Sequence, residues 1–416
     1  MGESAANSVP PSGRDHAVPT HTAAGNTVVG QGVTRASNRV PALDVLRGIA
    51  IIGTLASNVW IFTASVGAEA GGTAPAWLGS VSAWLPNGKF IGLLTVMFGI
   101  GLEIQRQSAL RGGRRWPGAY PVRAALLLVA GLLNFIFLVR FDVLRAYAVA
   151  GFLVAFLLLT SERVQWWLIG LFLGVHLGHV GYSGYQAYEQ ATTTERSTLP
   201  VDLRSGTWWS EVQASFSHII ESSFVPDQGF FTVMLMGLVT FLLGAKLYRI
   251  GIFAPGHHRL RYWLIGSGFL AALPLDYLLS RTEMFGPYVI LFGRYGAATV
   301  VALGILALVA EFYVRRTVGR VGRALGLVGR MALSCYLLQN ILGVIFMYTM
   351  AGSGPWPKIE NVYGAYLVFA VISTILMGFC WLWLRMFTRG PFEIFWHAMF
   401  RTLTGGRRCR TARSPA

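Results

Sequence analysis

The chain has 416 residues with a formal net charge of +16, yet only 12% of its residues are charged, 54% are hydrophobic and the mean hydropathy is +0.53. A soluble chain carries about 25% charged residues, so a set of soluble domains is excluded and a polytopic membrane protein is expected. The basic excess does not signal nucleic acid, because the arginines stand between apolar runs, where orientation signals belong. Cys335, Cys380 and Cys409 show no paired spacing, so neither a disulfide framework nor a zinc site is expected.

Residues 1 to about 38 are rich in Ser, Thr, Ala, Gly, Pro and Asn and have no apolar period, which reads as a disordered tail rather than a signal peptide. Ten apolar runs follow, at about 41–63, 89–106, 121–140, 142–160, 164–182, 229–250, 260–280, 286–312, 327–351 and 362–386. At about 20 residues each they suit membrane-crossing helices. The fold expected is an all-α transmembrane bundle over 39–400, with a basic tail at 401–416. Arg106, Arg111, Arg114 and Arg115, then Lys246, Arg249, Arg259 and Arg261, then Arg315, Arg316, Arg320 and Arg323, and finally the C-terminal arginines fall on one side of such a bundle. The positive-inside rule makes that side the cytoplasm, with both termini inside. The longest loop, about 183–228, is then extracytoplasmic. It is acidic, carries Trp208 and Trp209, and contains SEVQASFSHIIESSF, which has the pattern of an amphipathic helix at the interface. Two readings of the tryptophans stand, membrane anchoring and sugar binding.

The first apolar run, RVPALDVLRGIAIIGTLASNVW, places Asp44, Arg47 and Asn58 along one helical face, with Asn58 about 16 Å beyond Arg47. Such a stripe belongs against a protein interior or a wet cavity. Arg47 suits phosphates arriving from the cytoplasm, or a simple pairing with Asp44. Asn58 suits donation to a carbonyl, or a bridge between helices. Asp142 and Arg145 begin the fourth run with Tyr147 nearby, and Asp142 is the first candidate for a base; the alternative is a helix N-terminal Asp paired with Arg145. His176 and His179 lie one turn apart, and His179 is a substitute base; a metal site is not expected from two histidines without a third ligand. Glu103 and Asp276 are membrane-region acids, and Tyr336 and Gln339 share a helix face.

Several stretches together resemble one family. LDVLRGIAIIGTLASN, NGKFIGLLTVMFGIGL, FDVLRAYAVAGFLV, FLLGAKLYRIGIF, VGRMALSCYLLQNIL and RGPFEIFW resemble, in order, the landmarks of the domain-of-unknown-function 418, or YeiB-like, membrane proteins. The resemblance extends to a wider group of membrane acyltransferases that includes sugar O-acyltransferases and heparan-glucosaminide N-acetyltransferase. Those O-acyltransferases have a histidine where this chain has Asn58, and YeiB-like proteins a histidine where it has Asn134. Asparagine cannot act as a base near neutral pH, although it can donate to an oxyanion.

The resemblance implies a multi-pass protein of the bacterial plasma membrane that moves an acyl group, most plausibly acetyl. The donor would be cytoplasmic acyl-CoA acting as co-substrate, with no tightly bound cofactor and no metal. The acceptor would be an envelope glycan, glycolipid or lipid. Asp44 and Arg47 then stand for the donor site, Asp142, Asn58 and His179 for catalysis, and Lys89, Asn134, Arg145, Tyr147, Tyr336 and Gln339 for the substrate cavity. The partners expected are the bilayer and the acceptor, and no nucleic acid. The other readings are a transporter of a small polar or lipid-linked solute, and a non-catalytic protein of envelope assembly.

Overall fold

A computed structural model describes residues 40–64, 75–140, 142–193, 207–221, 228–281, 289–351 and 362–405. The expected tail at 1–38 lies outside these residues, as does Cys409. The helices are α1 (Pro41–Ala64), α2 (Ala76–Trp84), α3 (Lys89–Arg111), α4 (Tyr120–Phe137), α5 (Leu144–Leu157), α6 (Glu162–Thr193), α7 (Trp208–Glu221) and α8 (Gln228–Ile250). They continue with α9 (Pro255–Leu279) and α10 (Ile290–Arg315), then α11 (Arg320–Arg330), α12 (Ala332–Ala351), α13 (Val362–Met386) and α14 (Pro391–Leu403). Among the described residues there is no strand, and 9 helices are long and apolar enough to cross a membrane. The protein is an all-α, multi-pass membrane bundle.

Each of the ten apolar runs is a helix, and the differences lie in how some begin and end. The run expected at 142–160 is α5, only 14 residues long. At 1.5 Å per residue it reaches about 21 Å, short of the roughly 30 Å hydrocarbon layer. The run expected at 327–351 breaks at Met331, and its first turns belong to the separate helix α11. In α9 and α10 the α-helical ladder gives way to π-helical turns at Ser267–Ala272 and Gly293–Ala297. Arg294, a charged residue within the apolar run at 286–312, sits inside the second of these turns. Helix α6 continues to Thr193 rather than ending near 182, and the amphipathic stretch of the long loop forms α7.

Two apolar cores organise the bundle. One gathers α3, α5, α8 and α10 around Leu93, Met97, Ala150, Phe241 and Leu306; the other gathers α1, α12 and α13 around Ile51, Leu55, Cys335, Ile372 and Leu376. Hydrophobic drive is weak between helices in lipid, so close backbone approach carries much of the packing. The crossing of α1 and α11 shows this best. A Cβ on Gly48 would lie 2.0 Å from the Leu325 carbonyl oxygen, and one on Gly329 would lie 1.8 Å from that of Asp44. Both are backbone atoms that cannot swing aside. This contact fixes Asp44, about one turn before Gly48, and Arg47, next to Gly48, against α11.

Substituting Gly329→Ala should therefore lower the apparent Tm of the detergent-purified protein, with an overpacking cost of about 1–3 kcal/mol. The control is Gly170→Ala on α6, where an added Cβ meets nothing within 4 Å. It should leave the melt unchanged or raise it slightly, since alanine favours a helix by up to about 1 kcal/mol. Equal melting of the two variants would refute the account of the crossing.

Candidate active site

Helices α4 and α5 form a hairpin that places its polar residues inside the protein. Gly131 permits the approach: a Cβ there would lie 2.6 Å from the Arg145 backbone nitrogen and 2.8 Å from Asp142 Oδ2. At the turn, the Asn134 amide donates to Asp142 Oδ1 at 2.9 Å, and the Arg145 backbone N–H donates to Asp142 Oδ2 at 2.9 Å. From α12, the Asn340 amide donates to Asn134 Oδ1 at 3.1 Å. The Tyr336 hydroxyl sits beside Asp142 and Asn340. The Arg145 guanidinium lies 3.7 Å from Asp142 Oδ2 and 3.7 Å from the centre of the Phe135 ring. Asn134, Asp142, Arg145, Tyr336 and Asn340 are all buried. One carboxylate is thus held by side chains and backbone of α4, α5 and α12, at the tip of the short helix.

Helix α7 covers that tip. Its Trp208 indole donates to the Phe137 carbonyl at 2.9 Å, Arg140 reaches Glu211 at 3.1 Å and Ser215 at 3.1 Å, and His218 lies against Phe135. The Trp208 and Trp209 rings remain substantially exposed, with centres 6.1 Å apart.

A pocket of about 430 Å³ shares Tyr336 with the cluster at the hairpin tip. Its wall is apolar at Ile51, Leu94, Met97, Leu127 and Leu144. Four arginines line it: Arg47 of α1, Arg123 of α4, Arg330 of α11, and Arg389 just before α14. Helix α14 closes one flank with Glu393, Trp396, His397 and Phe400. The flank is pinned by Glu393, whose Oε1 accepts from the backbone N–H of Leu333 at 2.9 Å and of Ser334 at 3.2 Å. The Ser334 hydroxyl donates to the same carboxylate, and Phe392 N–H donates to Ser334 Oγ at 3.1 Å. A carboxylate at a helix N-terminus is well placed to satisfy these open donors. The mouth is strongly basic, and burial, together with Arg389, Arg401 and Arg123, holds the His397 imidazole below its ordinary pKa.

The sequence candidates separate into groups. Arg47 lines the pocket and stands 3.7 Å from Asp44. Asp142, Asn134, Arg145 and Tyr336 come together at the hairpin tip. Gln339 is fully buried on α12, one turn beyond Tyr336, with both amide atoms unpartnered. Asn58 is buried on α1 and does not line the pocket. The other candidates turn elsewhere. Tyr147 donates to the Ile91 carbonyl at 3.3 Å and packs between Phe98 and Phe241. His179 lies 3.1 Å from Thr232 Oγ1 of α8, and His176 lies 3.2 Å from the Tyr295 carbonyl in the π-turn of α10. Lys89 is closed in an ion pair with Asp276 at 2.5 Å, and Asp276 also accepts from Trp84 Nε1 at 2.8 Å. Glu103 gains Arg106 and Arg249, each at 3.1 Å. Cys335 and Cys380, without any sequence pairing, bring their buried thiols to 3.2 Å.

Sequence reasoning missed Arg123, Arg330, Arg389, Glu393, Trp396, His397 and Asn340. Asn340 adjoins Gln339, and RGPFEIFW holds Arg389, Glu393 and Trp396. Both were visible as motifs, but nothing local said that they meet the first helix.

A multi-pass helical bundle with a basic pocket beside a buried carboxylate cluster defines the class of protein. Comparison with known proteins adds its similarities. Residues 247–402 match the family described as "Protein of unknown function (DUF418)". The chain is similar to the uncharacterized protein YeiB of Escherichia coli (strain K12), with 26% identity over 402 residues, covering 89% of this chain and 98% of YeiB. It is similar also to the uncharacterized protein YxaH of Bacillus subtilis (strain 168), with 26% identity over 397 residues, covering 88% of this chain and 95% of YxaH. The match to the DUF418 model and the similarity to YeiB and YxaH agree with the resemblance that the motifs carry. No solved structure matches it.

The electrostatics of the mouth give a pH dependence with a definite sign. A polyanion in the pocket would offset the arginine field and raise the lowered His397 pKa, so binding would take up a proton. Inorganic pyrophosphate should bind the purified protein more tightly as pH falls from about 8 to about 6. His397→Gln should flatten that slope in calorimetric titrations; a wild-type affinity that rises with pH would contradict it.

Proposed function

We propose that this protein is a membrane acyltransferase, drawing an acyl group, most plausibly acetyl, from cytoplasmic acyl-CoA and passing it to a hydroxyl or amine of an envelope glycan, glycolipid or lipid. One observation carries the reading: Tyr336 lines the arginine-rich pocket, and its hydroxyl stands beside Asp142. In this reading the protein lies in the bacterial plasma membrane with the pocket open to the cytoplasm, an orientation favoured by the distribution of its arginines.

Arg47, Arg123, Arg330 and Arg389 suit the phosphates of the donor, since guanidinium groups bind phosphate through charge-assisted, often bidentate hydrogen bonds. The apolar stretch beyond them suits the pantetheine arm. Asp142 is the base in this scheme. The acceptor hydroxyl loses its proton to the carboxylate as its oxygen bonds to the thioester carbonyl carbon; the C–S bond then breaks and the proton passes to the departing thiolate. The Tyr336 hydroxyl is the donor placed to stabilise the oxyanion between these steps. Helix α7, over the hairpin tip, faces the side from which an envelope acceptor arrives.

Transport remains the second reading because of the two π-helical turns. Breaks in spanning helices free backbone groups to line a solute path.

The test uses membranes containing the protein, supplied with acetyl-CoA labelled in the acetyl group. Label should enter an envelope lipid or glycan fraction. Asp142→Asn should lower kcat by about 100-fold or more, the usual contribution of a general base. Arg47→Ala should chiefly raise KM for acetyl-CoA, by about 10-fold, the scale of a lost hydrogen bond to a charged group. Solute flux into vesicles without labelled acceptor would favour transport and sink the transferase.

A further inference from the structure

The rings lining the pocket are not equally engaged. The Phe400 ring is covered by the Arg123 guanidinium at 4.7 Å, and the Tyr120 ring packs against Trp116 at 5.5 Å. Trp396 is different. It lies in the pocket wall, half-buried, and among the described residues neither its ring nor its indole N–H has a partner. His397, next to it, likewise has no hydrogen bond among the described residues. A large planar ring left unstacked beside four guanidinium groups is a poor arrangement for packing alone. A lipid phosphate has no flat face for such a ring to stack on. A nucleotide offers both parts, phosphates for the arginines and a base for the indole. Every base has a π-face, so stacking on an aromatic side chain is an effective way to hold one.

The anchoring of α14 supports this assignment. Glu393 and Ser334 join the start of α14 to the start of α12 by reciprocal hydrogen bonds. Trp396 follows Glu393 by three residues, nearly one helical turn, so the clamp fixes the ring relative to the pocket. The same clamp lies two residues from Tyr336. The wall that carries Trp396 and the part of the lining that carries Tyr336 therefore share one support.

We infer that Trp396 and His397 form a nucleobase subsite, so that the pocket takes a nucleoside diphosphate moiety with its base stacked on Trp396 and its phosphates among Arg123, Arg330 and Arg389. This rests on the reading of the pocket as a donor site, but the subsite is testable without turnover.

The probes are ADP and inorganic pyrophosphate, titrated calorimetrically into the full chain in nanodiscs. ADP should bind more tightly than pyrophosphate. Trp396→Leu should weaken ADP about 10-fold, within the range for loss of one base stack, and leave pyrophosphate binding within about 2-fold. Trp396→Phe should restore most of the ADP affinity, while retained pyrophosphate binding reports an intact pocket. The subsite is overturned if wild type binds ADP no better than pyrophosphate, or if Trp396→Leu weakens both equally. It is also overturned if nanodiscs rich in phosphatidylglycerol abolish ADP binding, which would make the pocket a lipid head-group site. Trp396-dependent ADP binding without acyl transfer would retain the subsite and remove the transferase. Acyl transfer with an unchanged KM for acetyl-CoA in Trp396→Leu would do the reverse.

Discussion

The arrangement depends on keeping one carboxylate inside a membrane protein. Asp142 would be costly to bury alone, and it is not alone. Asn134 and the backbone of Arg145 occupy its two oxygens, and Asn340 in turn holds Asn134. Each bond comes from a different element, so satisfying the charge also fixes α4, α5 and α12 around it. In a low dielectric such a chain is rigid when complete and expensive when broken. The fold is therefore most tightly specified at the place where the proposed chemistry would occur, and the requirement for partners does the specifying.

Two kinds of buried charge are separated by the same logic. Lys89 with Asp276, and Arg261 with Glu311, are closed pairs at 2.5 Å, each further tied to backbone carbonyls or an indole. They join helices and leave no face for a ligand. The pocket arginines are different. Between them stand the carboxylates of Asp44 and Glu393, and Glu393 already serves the start of α12. A surplus of positive charge around an apolar cleft is an arrangement that a soluble polyanion with an oily arm would complete. Sequence placed Lys89 with the cavity residues because both pairs look alike as isolated charges in apolar runs; only the partner distinguishes them.

The spans were legible because apolar length is a local property. So were Arg47 and Asp142, as polar interruptions in otherwise apolar helices. The α14 wall was not, for a physical reason. Its sequence mixes Phe392, Phe395 and Trp396 with Glu393 and Arg401, a pattern too polar for a span. Its importance comes from Glu393 reaching Leu333 and Ser334, some 60 positions earlier. The same holds for the thiols of Cys335 and Cys380, which meet across two helices with no sequence trace of it. Tyr147 erred in the opposite sense. It follows the Asp-x-x-Arg element closely, yet its hydroxyl turns to the Ile91 carbonyl and its ring to the α3–α8 core, since a helix directs side chains to several faces within one turn.

The pocket and the hairpin tip meet at Tyr336. It lines the pocket together with Leu144, the first residue of the short helix α5, and its hydroxyl stands beside Asp142, two residues before Leu144. Helix α7 lies against the tip through Trp208 and the Arg140–Glu211 pair. That pair is half-exposed, and exposed ion pairs contribute little, about 0–1 kcal/mol. Helix α7 is thus held in part by an exposed pair, whereas α14 is held by the part-buried Glu393–Ser334 clamp. Under the proposed transfer, that asymmetry would suit a rigid wall for the donor and a looser roof for the acceptor.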